Sequence, residues 1–160
     1  MTDAPGGLSH LDASGHARMV DVSGKDVSAR SARASGRVLL SAEAIAALRA
    51  GRVPKGDALA VARIAGIMGA KRTPDLVPLC HPIALHSVTV DLEVRDDAVV
   101  ISAEARTADR TGVEMEALTS VTVAALALID MVKAVDPAAV ISDVRVEEKT
   151  GGKTGLWRRP

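Results

Sequence analysis

The chain has 160 residues, 48% of them apolar, which suits one compact domain that buries its core without disulfides or structural metals. Twenty basic residues balance twenty acidic ones and Trp157 is the sole aromatic, so there is neither a net positive field nor a set of rings with which to gather nucleic acid. Cys80 has no partner for an internal bridge, and no charged leader, apolar h-region or bilayer-length span is evident, which sets the expectation of a cytoplasmic protein without a membrane partner.

Residues 1–15 (MTDAPGGLSHLDASG) are rich in Gly, Ser, Asp and Pro without periodicity and predict a flexible N-terminal arm. One domain is expected over 16–155, with 156–160 left as a C-terminal tail. Ala17 to Val22 is expected as a short strand, and Arg33 to Leu40 as another. Ser41 is placed to cap a short helix running to Ala50 and closed by Gly51. Asp57 to Met68 has Leu59, Ala62, Ile64 and Ile67 near helical spacing, with Asp57 as cap and Gly69 as terminator.

The stretch KRTPDLVPLCHP follows, and Pro74, Pro78 and Pro82 predict a stiff, non-helical loop. Residues 86–94 alternate, with Val88, Val90, Leu92 and Val94 on one side, and lead through Arg95-Asp96-Asp97 to Val99-Val100-Ile101, the pattern of a hairpin with one wet face. A long apolar helix is expected from Gly112 to Val135, ended by Asp136-Pro137, then a strand from Val140 to Val146 and the glycine-rich run KTGGKTG. From residue 33 onward the order is strand, helix, strand, strand, helix, strand once the short helix is set aside. That is the ferredoxin-like split βαβ arrangement: an α+β fold with an antiparallel sheet covered by helices, plus an extra N-terminal strand and short helix.

Polar groups on the long helix are informative because so apolar a helix has little need of them. At 100° per residue Glu116, Thr119, Val123, Asp130 and Lys133 share a stripe roughly 100° wide, with Glu114 pointing almost opposite Glu116. Asp130 and Lys133 alone read most simply as a solvent ion pair. Glu116 and Asp130 lie roughly 21 Å apart along the axis, too far to grip one atom within one chain. A shared site would need two copies of the helix or an elongated ligand, and the surplus apolar surface favours a symmetric oligomer with sites at subunit boundaries.

His81, held between Cys80 and Pro82, suits proton transfer near neutral pH, although a loop histidine bonded to a carbonyl is an equally good reading. Cys80 is a poor partner for it, because neighbours in an extended loop point apart. Gly152-Lys153-Thr154 fails as a phosphate-binding P-loop, since Glu147 stands where the first glycine belongs; Lys149 and Lys153 with the backbone amides could cradle an anion, although a frayed basic terminus is the more frequent reading of such a tail.

Four stretches, MVDVSGK (19–25), KGDALAVARIAGIMGAKRTPDLVPLCHPI (55–83), TGVEMEALTSVTVAALALIDMVKAVD (111–136) and KTGGKTG (149–155), make the chain resemble the molybdenum cofactor biosynthesis protein C family from about Ser9 to Gly155. The resemblance implies a ferredoxin-like homohexamer, a trimer of dimers with active sites at dimer interfaces. It implies a lyase that converts (8S)-3',8-cyclo-7,8-dihydroguanosine 5'-triphosphate to cyclic pyranopterin monophosphate and pyrophosphate. The substrate would come from a radical enzyme acting on GTP, with which transient contact is expected. No resident cofactor is implied, and Mg2+ accompanying the triphosphate is left open.

Carried over by position, Asp130 matches the family's acid-base aspartate, Lys133 its neighbour and Lys55 a second essential lysine, and the several proton transfers of the implied reaction suit His81 as a further proton carrier. Leu79, Cys80, His81, Met115 and Glu116 correspond to substrate-contacting segments, and Asp21, Arg30, Glu114 and Lys149 to groups that bind or orient. Two departures stand out: Pro74 where a larger, often aromatic residue is usual, and Thr150 and Thr154 in place of serines.

Overall fold

The computed structural model describes residues 9–160. Strand β1 covers Ser28–Leu39, and helices α1 (Ala42–Arg49), α2 (Ala58–Lys71) and α3 (Thr73–Leu76) follow it. Next come β2 (Ser87–Val94), β3 (Ala98–Asp109), α4 (Glu114–Val132), β4 (Val140–Thr150) and β5 (Trp157–Arg158). Among the described residues the strands form one antiparallel sheet in the order β2-β3-β1-β4-β5. The first four strands have the order and direction of the ferredoxin-like split βαβ unit.

Alternation in β1 and β3 buries Ala32, Ala34 and Val38 beside Ile101, Ala103 and Ala105, and α4 lies across this face with Ala117, Val121, Ala124, Ala125 and Leu128 fully buried. Helix α2 packs on α4 at very short range because glycines stand at the contact. A methyl group at Gly69 would come within 2.7 Å of Val123 Cβ, and one at Gly66 within 2.9 Å of the Ser120 carbonyl oxygen. The shortage of aromatics is thus matched by helices that need little space between them. By length and hydropathy alone α4 is a bilayer-length segment, contrary to the expectation that none exists, and half of its apolar window is buried inside the fold.

Ser41 caps α1 as expected, accepting from Ala44 N at 3.2 Å, and Asp57 caps α2 by accepting from Ala60 N. A second device holds the start of α1: the buried Asp136 accepts from Ser41 N at 2.7 Å and from Ala138 N at 3.0 Å.

Several expectations are corrected. The non-helical reading of KRTPDLVPLCHP fails at Thr73–Leu76, because Pro74 sits in the first turn of α3, where the missing N–H would have had no helical partner. Ala17 to Val22 is not a strand; Ala17 makes one bridge to Leu11 across a turn held by Asp12, whose carboxylate accepts from Ser14 N and His16 N. The arm expected over 1–15 falls partly outside the described residues. Helix α4 is shorter than expected at both ends, and β4 runs on to Thr150. Its added length gives Trp157 and Arg158 an edge to pair with, which draws the C-terminal tail back onto the sheet.

Candidate active site

Helices α2 and α4 run antiparallel, so residues before α2 reach the C-terminal end of α4 while residues after α2 return to its N-terminal end. This places the expected site residues in two groups about 21 Å apart along α4.

At the N-terminal end, a cavity of about 750 Å³ is bordered by Leu79, Cys80 and His81 from the loop after α3, and by Glu114, Met115 and Glu116 from the first turn of α4. Glu116 is 3% exposed, and burial first, then the charge of Glu114, pushes its carboxyl up to about 7. A carboxyl raised this far has both its protonated and its ionised form within reach of neutral pH, so it can both give and take a proton. The Cys80 thiol is pushed up by burial and by the same Glu116 charge, which makes it a weak nucleophile. His81 donates from Nε2 to the Val20 carbonyl at 2.7 Å; a carbonyl only accepts, so Nε2 carries the hydrogen and Nδ1 is left for other work. Cys80 and His81 border the same cavity, but the hydrogen bond of His81 is to Val20.

The expectation that Glu114 points away from Glu116 is not met. Glu114 opens α4, and its carboxylate folds back over Gly112, into space that any Cβ there would fill. Lys149 donates to it at 2.9 Å, so both glutamates face one cavity.

An adjoining cavity of about 330 Å³ shares Lys25, Gly112, Glu114, Lys149 and Thr154 with the first and adds Arg30 and Lys153. Arg30 is oriented by a 3.0 Å bond from Nε to the Asp109 carbonyl. Two glycines allow the KTGGKTG turn to close on it: Gly151 and Gly152 have φ of 91° and 69°, and a methyl group at Gly152 would lie 2.5 Å from Arg30 Nη1. Thr150 Oγ1 and Ser31 Oγ share a 2.7 Å hydrogen bond, so one departing hydroxyl is engaged and the other, on Thr154, borders both cavities. Four cations against one carboxylate give the smaller cavity a lining whose charge suits an anion.

The second group stands alone. Asp130 accepts from Lys133 Nζ at 2.6 Å and from Lys55 Nζ at 2.9 Å, and those two ammonium groups hold its carboxyl down to about 2. All three side chains are exposed, and none borders either cavity. Asp21 is also apart: its neighbours Val20 and Val22 border the larger cavity, while Asp21 accepts from Ser23 N, which keeps its carboxyl below the ordinary range. Among the described residues no three His, Cys, Asp or Glu side chains gather to hold a metal ion.

Sequence reasoning missed His10, Lys25 and Trp157, all at the larger cavity. Lys25 lies inside MVDVSGK and carried a signal in its charge; His10 and Trp157 lie in stretches without periodicity.

A profile described as the MoaC family matches residues 19–152. The chain is 71% identical over 152 residues to a Streptomyces avermitilis protein, covering 95% of this chain and 89% of the relative. It is 65% identical over 163 residues to one from Nocardioides sp., covering both in full, and 56% identical over 154 residues to one from Mycobacterium tuberculosis, covering 96% of this chain and 92% of that relative. The first two are named cyclic pyranopterin monophosphate synthase and the third cyclic pyranopterin monophosphate synthase 2. With a match across most of its length and relatives this close, the chain belongs to the MoaC family.

Proposed function

We propose that this chain is a cyclic pyranopterin monophosphate synthase of molybdenum cofactor biosynthesis, acting on (8S)-3',8-cyclo-7,8-dihydroguanosine 5'-triphosphate. The observation that carries the reading is the pair of joined cavities, one with proton-handling groups and the other cationic. Such a shape suits a ligand with a heterocycle at one end and phosphates at the other. Arg30, Lys25, Lys149 and Lys153 hold the phosphates. A ribose-derived hydroxyl oxygen attacks the α-phosphorus, the bond to the β-phosphate oxygen breaks, and pyrophosphate leaves with its new charge offset by lysine.

Opening the purine and closing the pterin move protons without net oxidation. Glu116, near half-ionisation, and the free Nδ1 of His81 are suited to that work. Asp130, kept ionised by two ammonium groups, acts by aiming Lys55 and Lys133. Since these three lie at the far end of α4, a second copy supplies them, and we assign a hexamer built as a trimer of dimers. Val61, Ile64 and Met68 support this assignment, standing 42%, 59% and 60% exposed on α2 at i, i+3 and i+7. The setting is cytoplasmic, with substrate received from a radical enzyme acting on GTP, and any Mg2+ enters with the triphosphate.

The test supplies purified protein with the cyclised guanosine triphosphate and follows pterin and pyrophosphate. Equal amounts of the two are expected, together with a hexameric mass by light scattering. Absence of both products from folded, assembled protein rejects the reading.

A further inference from the structure

Trp157 has no part in the site expected from the sequence, yet it is the only residue among Phe, Tyr and Trp in the chain and it borders the larger cavity. Its position is built with some care. Residue 157 pairs with Lys149 across the β4–β5 ladder, and Lys149 is the residue that holds Glu114 in place. The Arg159 guanidinium lies 5.9 Å from the indole centroid and is itself fixed, with Nε donating to the Val146 carbonyl at 2.7 Å and the backbone N–H donating to Glu147 O. Arg159 therefore covers one face of the ring without itself bordering the cavity, while Leu79, Met115 and Val146 give the cavity apolar walls of their own.

We propose that Trp157 is a substrate-stacking residue, its indole lying against the aminopyrimidinone ring of the purine-derived substrate. The inference rests on the function proposed above and adds a contact to it. That ring is planar and passes from substrate to product with its conjugation kept, so the contact is available from binding to release. An interaction present equally in ground and transition states tightens binding and leaves the chemical step alone.

The test measures steady-state kinetics for wild type, Trp157→Leu and Trp157→Phe with the cyclised guanosine triphosphate, and titrates wild-type fluorescence with GTP and with inorganic tripolyphosphate. Leucine keeps bulk without a π face, and it should raise KM by about tenfold to a hundredfold with kcat nearly unchanged. Phenylalanine should restore KM to within a few-fold of wild type. GTP should quench the lone indole and tripolyphosphate should not. An unchanged KM in Trp157→Leu, a loss confined to kcat, or equal quenching by tripolyphosphate overturns the proposal. Absence of turnover in wild type instead rejects the functional reading, and GTP quenching still reports on the indole by itself.

Discussion

If each active site joins the His81 end of one chain to the Lys55 end of another, two inactive variants should repair each other. Lys55→Ala leaves its own His81 region intact, and His81→Ala leaves its own Lys55 intact. In a mixed dimer one site receives both wild-type groups and the other receives neither. Random pairing makes half of the dimers mixed, each with one working site of two, so an equimolar mixture should recover about a quarter of wild-type turnover. The separation that forces this result is the span of α4, about 21 Å between Glu116 and Asp130, held by a helix pair too tightly packed to bend the ends together. The assay co-expresses the variants with different affinity tags, isolates assemblies carrying both, and measures pyrophosphate release beside each variant alone. Activity no greater than that of the single variants, in a preparation shown to contain both tags, refutes the reasoning and puts Lys55 and His81 in sites that do not cross between chains.

Glu116 ionises near 4.5 when unfolded but is pushed up to about 7 in the fold, so between those values the folded state holds a proton that the unfolded chain has lost, and stability falls as pH rises. In a chain already carrying Lys55→Ala and Lys133→Ala, where no partner ammonium offsets the charge, Glu116→Gln should gain about 3 kcal/mol over its parent by about pH 8 and almost nothing at about pH 4. Urea titrations at equal protein concentration test this, and a gap independent of pH contradicts it. Gly69→Ala puts a methyl group 2.7 Å from Val123 Cβ, and the overpacking, about 1–3 kcal/mol, should exceed the helix-propensity gain of about 1 kcal/mol. Adding Val123→Ala keeps that Cβ but removes the two Cγ atoms 2.8 and 3.0 Å from the new methyl group, so it should then cost less than it does in wild type, and strict additivity in the denaturation cycle would argue against the contact. Ser41→Ala should cost about 1 kcal/mol and Asp136→Ala about 2–3 kcal/mol, because the second change strands two backbone N–H groups; the reverse order in thermal denaturation counts against the double anchor.

The fold was legible where one local cause acts. Ser41 and Asp57 read as caps because a short acceptor stands before an apolar-periodic run, and β2 read as a strand because its alternation matches a sheet with one wet face. Pro74 misled because proline forbids a helix interior but not a first turn, and the two contexts differ only in what precedes them. Glu114 and Glu116 were placed on opposite sides by helical angle, which is sound mid-helix. It fails at a first turn where Gly112 leaves room for a carboxylate to fold back toward Lys149. The Lys55, Asp130 and Lys133 cluster needed the antiparallel pairing of α2 with α4, of which only the i,i+3 half was visible. Trp157 reaches the site through two residues of strand pairing, a tertiary event with no periodic trace.

The glycine-lined contact between α2 and α4 makes that helix pair a stiff strut, and a strut sets the currency in which catalytic competence is counted. A hinged enzyme can assemble its groups by closing on substrate, at any dilution. Here the two ends cannot approach, so in the proposed two-chain site the working centre exists only to the extent that chains find one another, and mass action governs it. On dilution such a protein would fall silent while still folded, at a concentration set by subunit affinity and moved downward by any ligand that bridges the seam.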